Sequence, residues 1–371
     1  MRATAWQQAA TRVGALVPKA RLHPAVLAQA QTYRPEEIWA VAFSGGADSL
    51  ALLFLVWAHW PERRSQLVAL HFNHRLRGRE SDADAAFCQR VCASLGIRLR
   101  VGQWRPARKG ASEGESRVAR HEFFAREMKR LGTEALWLAH QQDDIAESFF
   151  MRLARGSGTA GLAAPRPVQR VSDVRVHLRP LLTLRKAVFV KALRSAGAAW
   201  REDSSNAGTK HFRNRIRRKV LPAWIGSAGR DALAGAALSR ARLEEDDAAL
   251  EAWLARLKPL TRAGRLDLRR LAGMPTALIR RALHRWLLVQ SVKTDLSRQG
   301  FEALLAAAQR GTPTRFSLGP TDFAVIRQGK LFCVPRKKIT AGSGICCILS
   351  VSRAFDLSRR NLHRPPPVLT N

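Results

Sequence analysis

Acidic residues are scarce in this chain: 29 Asp and Glu face 63 Lys and Arg, leaving a formal charge of +34 over 371 residues. Solubility needs far less, and a positive field of that size attracts polyanions, so nucleic acid is the leading partner. The plainer alternative is a general basic bias, since arginine is spread along the whole chain rather than gathered in a tail. No basic amphipathic helix stands apart, which disfavours an anionic membrane surface, and no run of about 18 apolar residues offers a membrane span. Cysteine is sparse too. Of the five, Cys88 and Cys92 fall on one predicted helix and Cys346 and Cys347 are adjacent, with no CxxC spacing. That argues against a zinc or iron–sulfur ligand set and fits reduced thiols in a cytosol. No internal repeat is evident, which sets aside solenoids.

What remains has the composition of a globular protein, 46% hydrophobic and 25% charged, with length for two or three domains. The stretch before Glu36 is rich in Arg and Ala and weakly resembles a transit peptide. It reads better as a helix leading into the first strand. The apolar run from Ile38 to Ala42 then enters Phe43-Ser44-Gly45-Gly46-Ala47-Asp48-Ser49. Two glycines let backbone N–H groups approach an anion, and the apolar run from Leu50 to Trp57 would start a helix whose positive end faces the same point. Ser44 and Ser49 add hydroxyl donors, and Asp48 could hold magnesium on phosphates. An ordinary strand-to-helix turn is the bland alternative. A Walker A loop is excluded, because no Gly-Lys-Ser/Thr closes it.

Strand-like and helix-like segments alternate through the first half of the chain. Strands are expected at 38 to 43, 67 to 73, 97 to 103 and 135 to 140, with helices at 49 to 60, 81 to 95, 117 to 131 and 142 to 154. The alternation predicts an α/β fold, a doubly wound parallel sheet with ligands at the carboxyl ends of its strands. The motifs fall there: the glycine loop, His71-Phe72-Asn73-His74, and Ala139-His140. After His140, Asp143, Asp144 and Glu147 begin a helix on which Asp144 and Glu147 share a face. Two carboxylates there could hold a cationic substrate or take up a proton; helix capping accounts for one of them, not for Glu147. Arg155-Gly156-Ser157-Gly158 could contact phosphate or simply end the helix. Arg120 suits a cleft, although a surface ion pair is the usual fate of such an arginine. Residues 211 to 219 are densely basic, and Arg213, Arg215 and Arg217 read as phosphate-backbone contacts or as a solvated helix face.

Taken in order, these motifs resemble those of the tRNA(Ile)-lysidine synthetases. The residues that carry the resemblance are SGGADS at 44 to 49, His71-x-Asn73-His74-x-Leu76-Arg77 with Ser81 and Asp84, Ala119-Arg120, and His140-x-x-Asp143-Asp144-x-x-Glu147. Arg155-Gly156-Ser157-Gly158 with Gly161-Leu162, Arg179-Pro180-Leu181-Leu182 and the segment from Asp203 to Pro222 complete the set. The glycine loop alone would indicate only the wider PP-loop ATP pyrophosphatase group. The resemblance implies a catalytic domain over 1–225, a helical tRNA-binding middle domain over 226–335 ending in short strands, and a basic tail or truncated C-terminal domain over 336–371.

It also implies an ATP- and magnesium-dependent ligation in a cytoplasmic enzyme, with a homodimer left open. The C2 carbonyl oxygen of the wobble cytidine of an isoleucine tRNA with a CAU anticodon would attack the α-phosphate of ATP, and free L-lysine would then displace AMP. Ser44, Gly45, Gly46, Ala47, Asp48 and Ser49, with His71 and Asn73, would hold ATP, and Asp48 the metal. Asp48, Arg120, His140, Asp144 and Glu147 would be catalytic. Asp144 and Glu147 would bind lysine, and Arg155, Arg213, Arg215 and Arg217 would bind tRNA. The chain departs from the family's pattern at His121 (usually tyrosine), Gln141 (commonly histidine), Ile145 (frequently glutamine) and Gly208 (typically aspartate). A tRNA thiolase would use the same ATP chemistry but lacks CxxC support here. A non-catalytic RNA-binding relative would need a broken site, and a small-molecule synthetase would not explain the charge.

Overall fold

The computed structural model describes residues 3–75, 78–104, 113–172, 174–202, 212–290, 296–320 and 322–335. The segment from Asp203 to His211, Leu76, Arg77, the Cys346–Cys347 pair and the whole expected tail lie outside the described residues. The first unit runs to Arg256 and the second begins at Leu257.

The first unit opens with helices α1 (Ala3–Leu16) and α2 (Pro24–Gln31), in line with the helical reading of the N-terminal stretch. Then come β1 (Trp39–Ala42), α3 (Ala47–His59), β2 (Leu67–Asn73), α4 (Arg79–Leu95), β3 (Arg98–Gln103), α5 (Glu113–Leu131), β4 (Ala135–Trp137) and α6 (Gln142–Leu153). Each falls within a few residues of its expected position. The short α7 (Thr159–Leu162), the pair β5 (Val168–Ser172) and β6 (Arg175–Leu178), and α8 (Lys186–Ser195) follow. A basic helical segment then runs through α9 (Phe212–Arg215), a π-helical turn (Ile216–Val220) and α10 (Leu221–Ser227).

The strands form one sheet in the order β3-β2-β1-β4-β6-β5. All neighbours are parallel except the edge pair β5–β6. Alternate residues point to opposite faces, so Trp39, Val41, Leu67 and Ala69 join a core with Val13, Leu52, Val91 and Phe189. Ala40, Val68, Leu70 and Leu136 pack on the other side with Phe123, Phe124 and Met128 of α5. Burial of both faces is why the central strands read as continuous apolar runs rather than as alternating ones. The chain lays β2 and β3 on one side of β1 and returns to place β4 on the other. That reversal opens a crevice beyond the carboxyl ends of β1 and β4.

Helix α11 (Ala232–Leu257) differs from its expected place in a separate middle domain. Leu233 and Ala236 pack on Ile145, Ala146, Leu182 and Ile216, Asp247 pairs with Arg166, and Asp231 with Arg185. These apolar contacts and the Asp247 ion pair tie the helix to the first unit, which runs to Arg256 rather than ending at residue 225. The second unit contains β7 (Leu266–Asp267), α12 (Thr276–Val289), α13 (Arg298–Arg310), β8 (Thr314–Ser317), β9 (Asp322–Arg327) and β10 (Lys330–Pro335). Its antiparallel sheet has the order β7-β10-β9-β8. Helices α12 and α13 precede the three closing strands of this unit.

Candidate active site

The loop between β1 and α3 is built around Gly45. Its φ of +87° lies in the region that side chains disfavour, and a Cβ there would stand 3.2 Å from both Cys88 Sγ and Phe87 Cδ1. The Ser49 hydroxyl donates to Gly46 O at 3.0 Å and accepts from Ser44 N at 3.2 Å. The backbone N–H of Arg201 donates to Gly45 O at 2.9 Å, while the Arg201 side chain holds Asp84 at 2.7 Å. The turn is thus fixed from three sides, and Ser44 is exposed at its rim. Asp48, in the first turn of α3, has the Lys186 ammonium 3.5 Å from its Oδ1. Burial raises its carboxyl above the ordinary range, Lys186 opposes that shift, and the charge of Asp144 adds to it.

Gln141 caps α6. Its side chain accepts from Asp143 N at 2.6 Å, and Asp144 accepts from Gln141 N at 3.0 Å. Asp143 accepts from Lys186 N at 3.0 Å, which sets the start of α8 and carries the Lys186 side chain to Asp48. Asp144 and Glu147 are buried, and both face the basic segment. Arg213 donates to Glu147 Oε2 at 2.6 Å and to Asp144 Oδ1. Arg217 donates to both oxygens of Glu147, at 2.5 and 3.0 Å. One helical turn separates the two arginines, so they leave the segment on one face and meet the acids together.

His140 lies beyond β4, where Arg179 Nε donates to its Nδ1 at 3.3 Å. Burial, then the charges of Arg179, Arg213, Arg120 and Arg117, hold its pKa well below the ordinary value. The imidazole is neutral at neutral pH, with its proton on Nε2. Arg179 is itself buried and, among the described residues, donates to neutral acceptors besides His140, namely Arg166 O at 2.8 Å and Gln169 Oε1 at 2.9 Å. Burial lowers it to about 10. A buried cation whose described bonds are all to neutral groups favours an anion nearby.

Ser44, Gly45, Gly46, Ala47, Asp48 and Ser49 form the loop, and Asp48 feels the charge of Asp144; Arg213 joins Asp144 to Glu147, and the charges of Arg213 and Arg120 reach His140. Other expected contacts are different. Arg213 and Arg217, read as phosphate contacts, turn inward onto the two carboxylates. Arg215 is exposed and stacks on Phe212 at 5.5 Å, and Arg155 is exposed after α6. Asn73 is buried and engaged within the fold, donating to Asp82 Oδ1 at 3.0 Å and accepting from Arg75 N at 2.8 Å. His71 uses Nδ1 on Phe43 O at 2.9 Å, while its buried Nε2 has no hydrogen-bond partner among the described residues. Sequence reasoning missed Lys186, Arg201 and the role of Arg179. Only Arg179 had a signal, its place in the Arg-Pro-Leu-Leu run that helps carry the resemblance.

A family model described as a PP-loop domain matches residues 21–224, and one described as the TilS substrate binding domain matches residues 266–332. A tRNA(Ile)-lysidine synthase of Xanthomonas campestris pv. campestris (strain 8004) is 36% identical over 301 residues, covering 78% of this chain and 66% of that protein. The synthase of Rhodopirellula baltica is 37% identical over 202 residues, 49% of this chain and 51% of the relative. That of Solibacter usitatus is 42% identical over 185 residues, 49% and 40%. The match thus spans from under half to just short of two thirds of these curated relatives. Among solved structures, the U34-tRNA thiolase NcsA from Methanococcus maripaludis aligns with a TM-score of 0.48 at 17% identity, covering 64% of this chain and 78% of that one.

Proposed function

We propose, because this chain belongs to the PP-loop family, that it ligates lysine to C2 of the wobble cytidine of an isoleucine tRNA with a CAU anticodon, using ATP. The observation that carries the reading is the link from the glycine loop to the start of α6, where Asp143 accepts from Lys186 N at 3.0 Å and the Lys186 ammonium stands 3.5 Å from Asp48. The TilS substrate binding match in the second unit and the synthase relatives supply the tRNA.

In the first step the cytosine C2 carbonyl oxygen bonds to the α-phosphorus of ATP, and pyrophosphate leaves into the glycine loop. Backbone N–H groups at the start of α3 and the Ser44 hydroxyl receive it. Arg120 and Arg179 offset negative charge at phosphorus, and neutral His140 donates through Nε2. In the second step the neutral ε-amine of lysine bonds to C2, the C2–O bond breaks so that AMP departs with the oxygen, and the nitrogen releases one proton to water. Asp144 and Glu147 hold the amino acid.

Magnesium fits Asp48, a half-buried carboxylate beside the loop that faces the Lys186 ammonium at 3.5 Å. No cluster of three ligating side chains occurs among the described residues, so further ligands would come from phosphate and water, and the ion would neutralise phosphate charge.

The test is incorporation of radiolabelled lysine into unmodified isoleucine tRNA with ATP and magnesium. Wild type should incorporate, and Asp48→Ala and Asp144→Ala should each lose activity by a factor on the order of 100 or more. A folded, tRNA-binding wild type that incorporates no lysine would sink the reading.

A further inference from the structure

Arg179 is the residue through which His140 is held, and its own position is set from one short stretch of chain. Its backbone N–H donates to Pro167 O at 2.8 Å, its Nη1 to Arg166 O at 2.8 Å and its Nη2 to Gln169 Oε1 at 2.9 Å. Together these bonds fix the plane of the guanidinium and aim Nε at His140 Nδ1, 3.3 Å away. An Nδ1 that accepts leaves the imidazole proton on Nε2, so the orientation of Arg179 decides which tautomer His140 adopts.

That stretch lies at the margin of the sheet. It leads into β5, the edge strand, which pairs with β6 along one side and is half-buried or exposed along its length. The sheet alone therefore holds it loosely, and the Arg166 side chain supplies an anchor. Its Nη2 donates to Asp247 Oδ2, and its Nε stands 4.0 Å from Glu244 Oε1. Both acids lie on α11, one turn apart, and Arg240, a turn earlier on the same helix, donates to Glu244. Asp247 and Arg240 keep only 3% and 4% of their side chains exposed. A buried ion pair adds little net stability over apolar packing, so its value lies in fixing position, and a charge-assisted bond to a guanidinium is directional as well. Arg166 thus faces two ways, with its side chain on α11 and its carbonyl on Arg179.

We infer that Arg166 and Asp247 are positioning residues for the reaction, acting through Arg179 to hold His140 with Nδ1 accepting and Nε2 carrying the proton. The plainer role, a tether that keeps α11 on the first unit, would alter stability and leave the His140 tautomer and turnover unchanged. The kinetic part of the inference rests on the lysine-ligating reading above; the tautomer does not.

The experiment records the ring nitrogens of His140 by NMR in the full chain carrying isotopically labelled histidine, assigned by the signal lost in His140→Gln, and measures lysine incorporation into isoleucine tRNA alongside. Wild type should show the Nε2–H form alone. Asp247→Asn removes the charge at nearly constant shape and should raise the Nδ1–H form to a measurable fraction. It should also lower kcat by about 10- to 100-fold, the cost of misplacing a reacting group by about 1 Å, while KM for ATP and for lysine changes by less than about threefold. Arg166→Gln should do the same, and the double variant should lose no more than the worse single one, because both break one chain of contacts. Arg166→Lys keeps the cation without the fork and should give intermediate values of both readouts; it is the variant to read if the others do not fold. A wild-type tautomer and wild-type kcat in the folded variants, with or without a lower melting temperature, overturn the inference and leave a tether. Wild type that incorporates no lysine sinks the ligase reading alone, and the inference then stands or falls on the tautomer.

Discussion

Gly45 is where backbone geometry leaves the least choice. Alanine there would hold a side chain at φ +87° and press its Cβ to 3.2 Å from Cys88 and Phe87. Gly45→Ala should cost about 1–2 kcal/mol of stability from the dihedral alone, measurable by urea unfolding, and it should weaken ATP binding by displacing the loop. Wild-type affinity for ATP in that variant would show the loop to be an ordinary turn. His121 and His177 make a different case. Their rings stack at 6.2 Å, and burial, followed by neighbouring arginines, lowers them to about 4 and about 3. Unfolded, each takes up a proton near 6.5; folded, each resists until far lower pH. The unfolded chain therefore binds more protons across that window, so the contribution of these rings to stability rises with pH and is lost as pH falls from about 6.5 towards 4. Melting temperature should drop over that interval, and His121→Tyr should make the drop shallower. An identical pH profile for that variant would show that His121 does not titrate with folding.

At the scale of elements, the start of α6 positions much of the site. Gln141 closes a capping box with Asp144, and Asp143 reaches across to the first N–H of α8. Asp143→Ala should destabilise by about 1 kcal/mol, the usual worth of such a cap, and should loosen Lys186 from Asp48; Asp143→Asn should retain most of both. Equal stability of the alanine variant and wild type by chemical denaturation would count against this link. The capping also shows what the sequence could and could not reveal. Central strands, their helices and the strand-end motifs were legible because hydrophobic period and glycine placement are local properties. That Asp143 and Asp144 begin a helix was legible for the same reason. The pairing of Arg213 with Glu147, 66 residues away, was not. Residue type told only that these arginines carry charge, and the approach of two distant helices decided what they meet. Strand β5 escaped notice because its polar, partly exposed residues break the apolar run expected of a buried strand, and β6 because it is short and its apolar Val176 and Leu178 are interrupted by His177. The neutral partners of Arg179 likewise exist only once β6 is paired with β5.

At the scale of the whole molecule, the 63 Lys and Arg behind the net charge of +34 divide into cations spent on internal carboxylates and cations presented to solvent. Only the second kind releases counterions when nucleic acid binds. Arg213 and Arg217 belong to the first kind, each sharing Glu147 and Asp144. Arg215, Arg218 and Lys219, within the same short helical segment, are exposed. Each phosphate contact contributes roughly 0.7 to 0.9 to the slope of log affinity against log salt. A triple variant, Arg215→Gln with Arg218→Gln and Lys219→Gln, should therefore flatten the salt dependence of tRNA binding by about two to three. Arg213→Gln with Arg217→Gln should change that slope by less than about one, even though it removes two cations from the same segment. Filter binding of isoleucine tRNA over a salt series distinguishes the pairs. If the inward pair proves to flatten the slope as much per charge as the outward set, then those arginines leave their carboxylates for phosphate when tRNA arrives. In that event the basic segment acts as one surface and not as two faces with separate work.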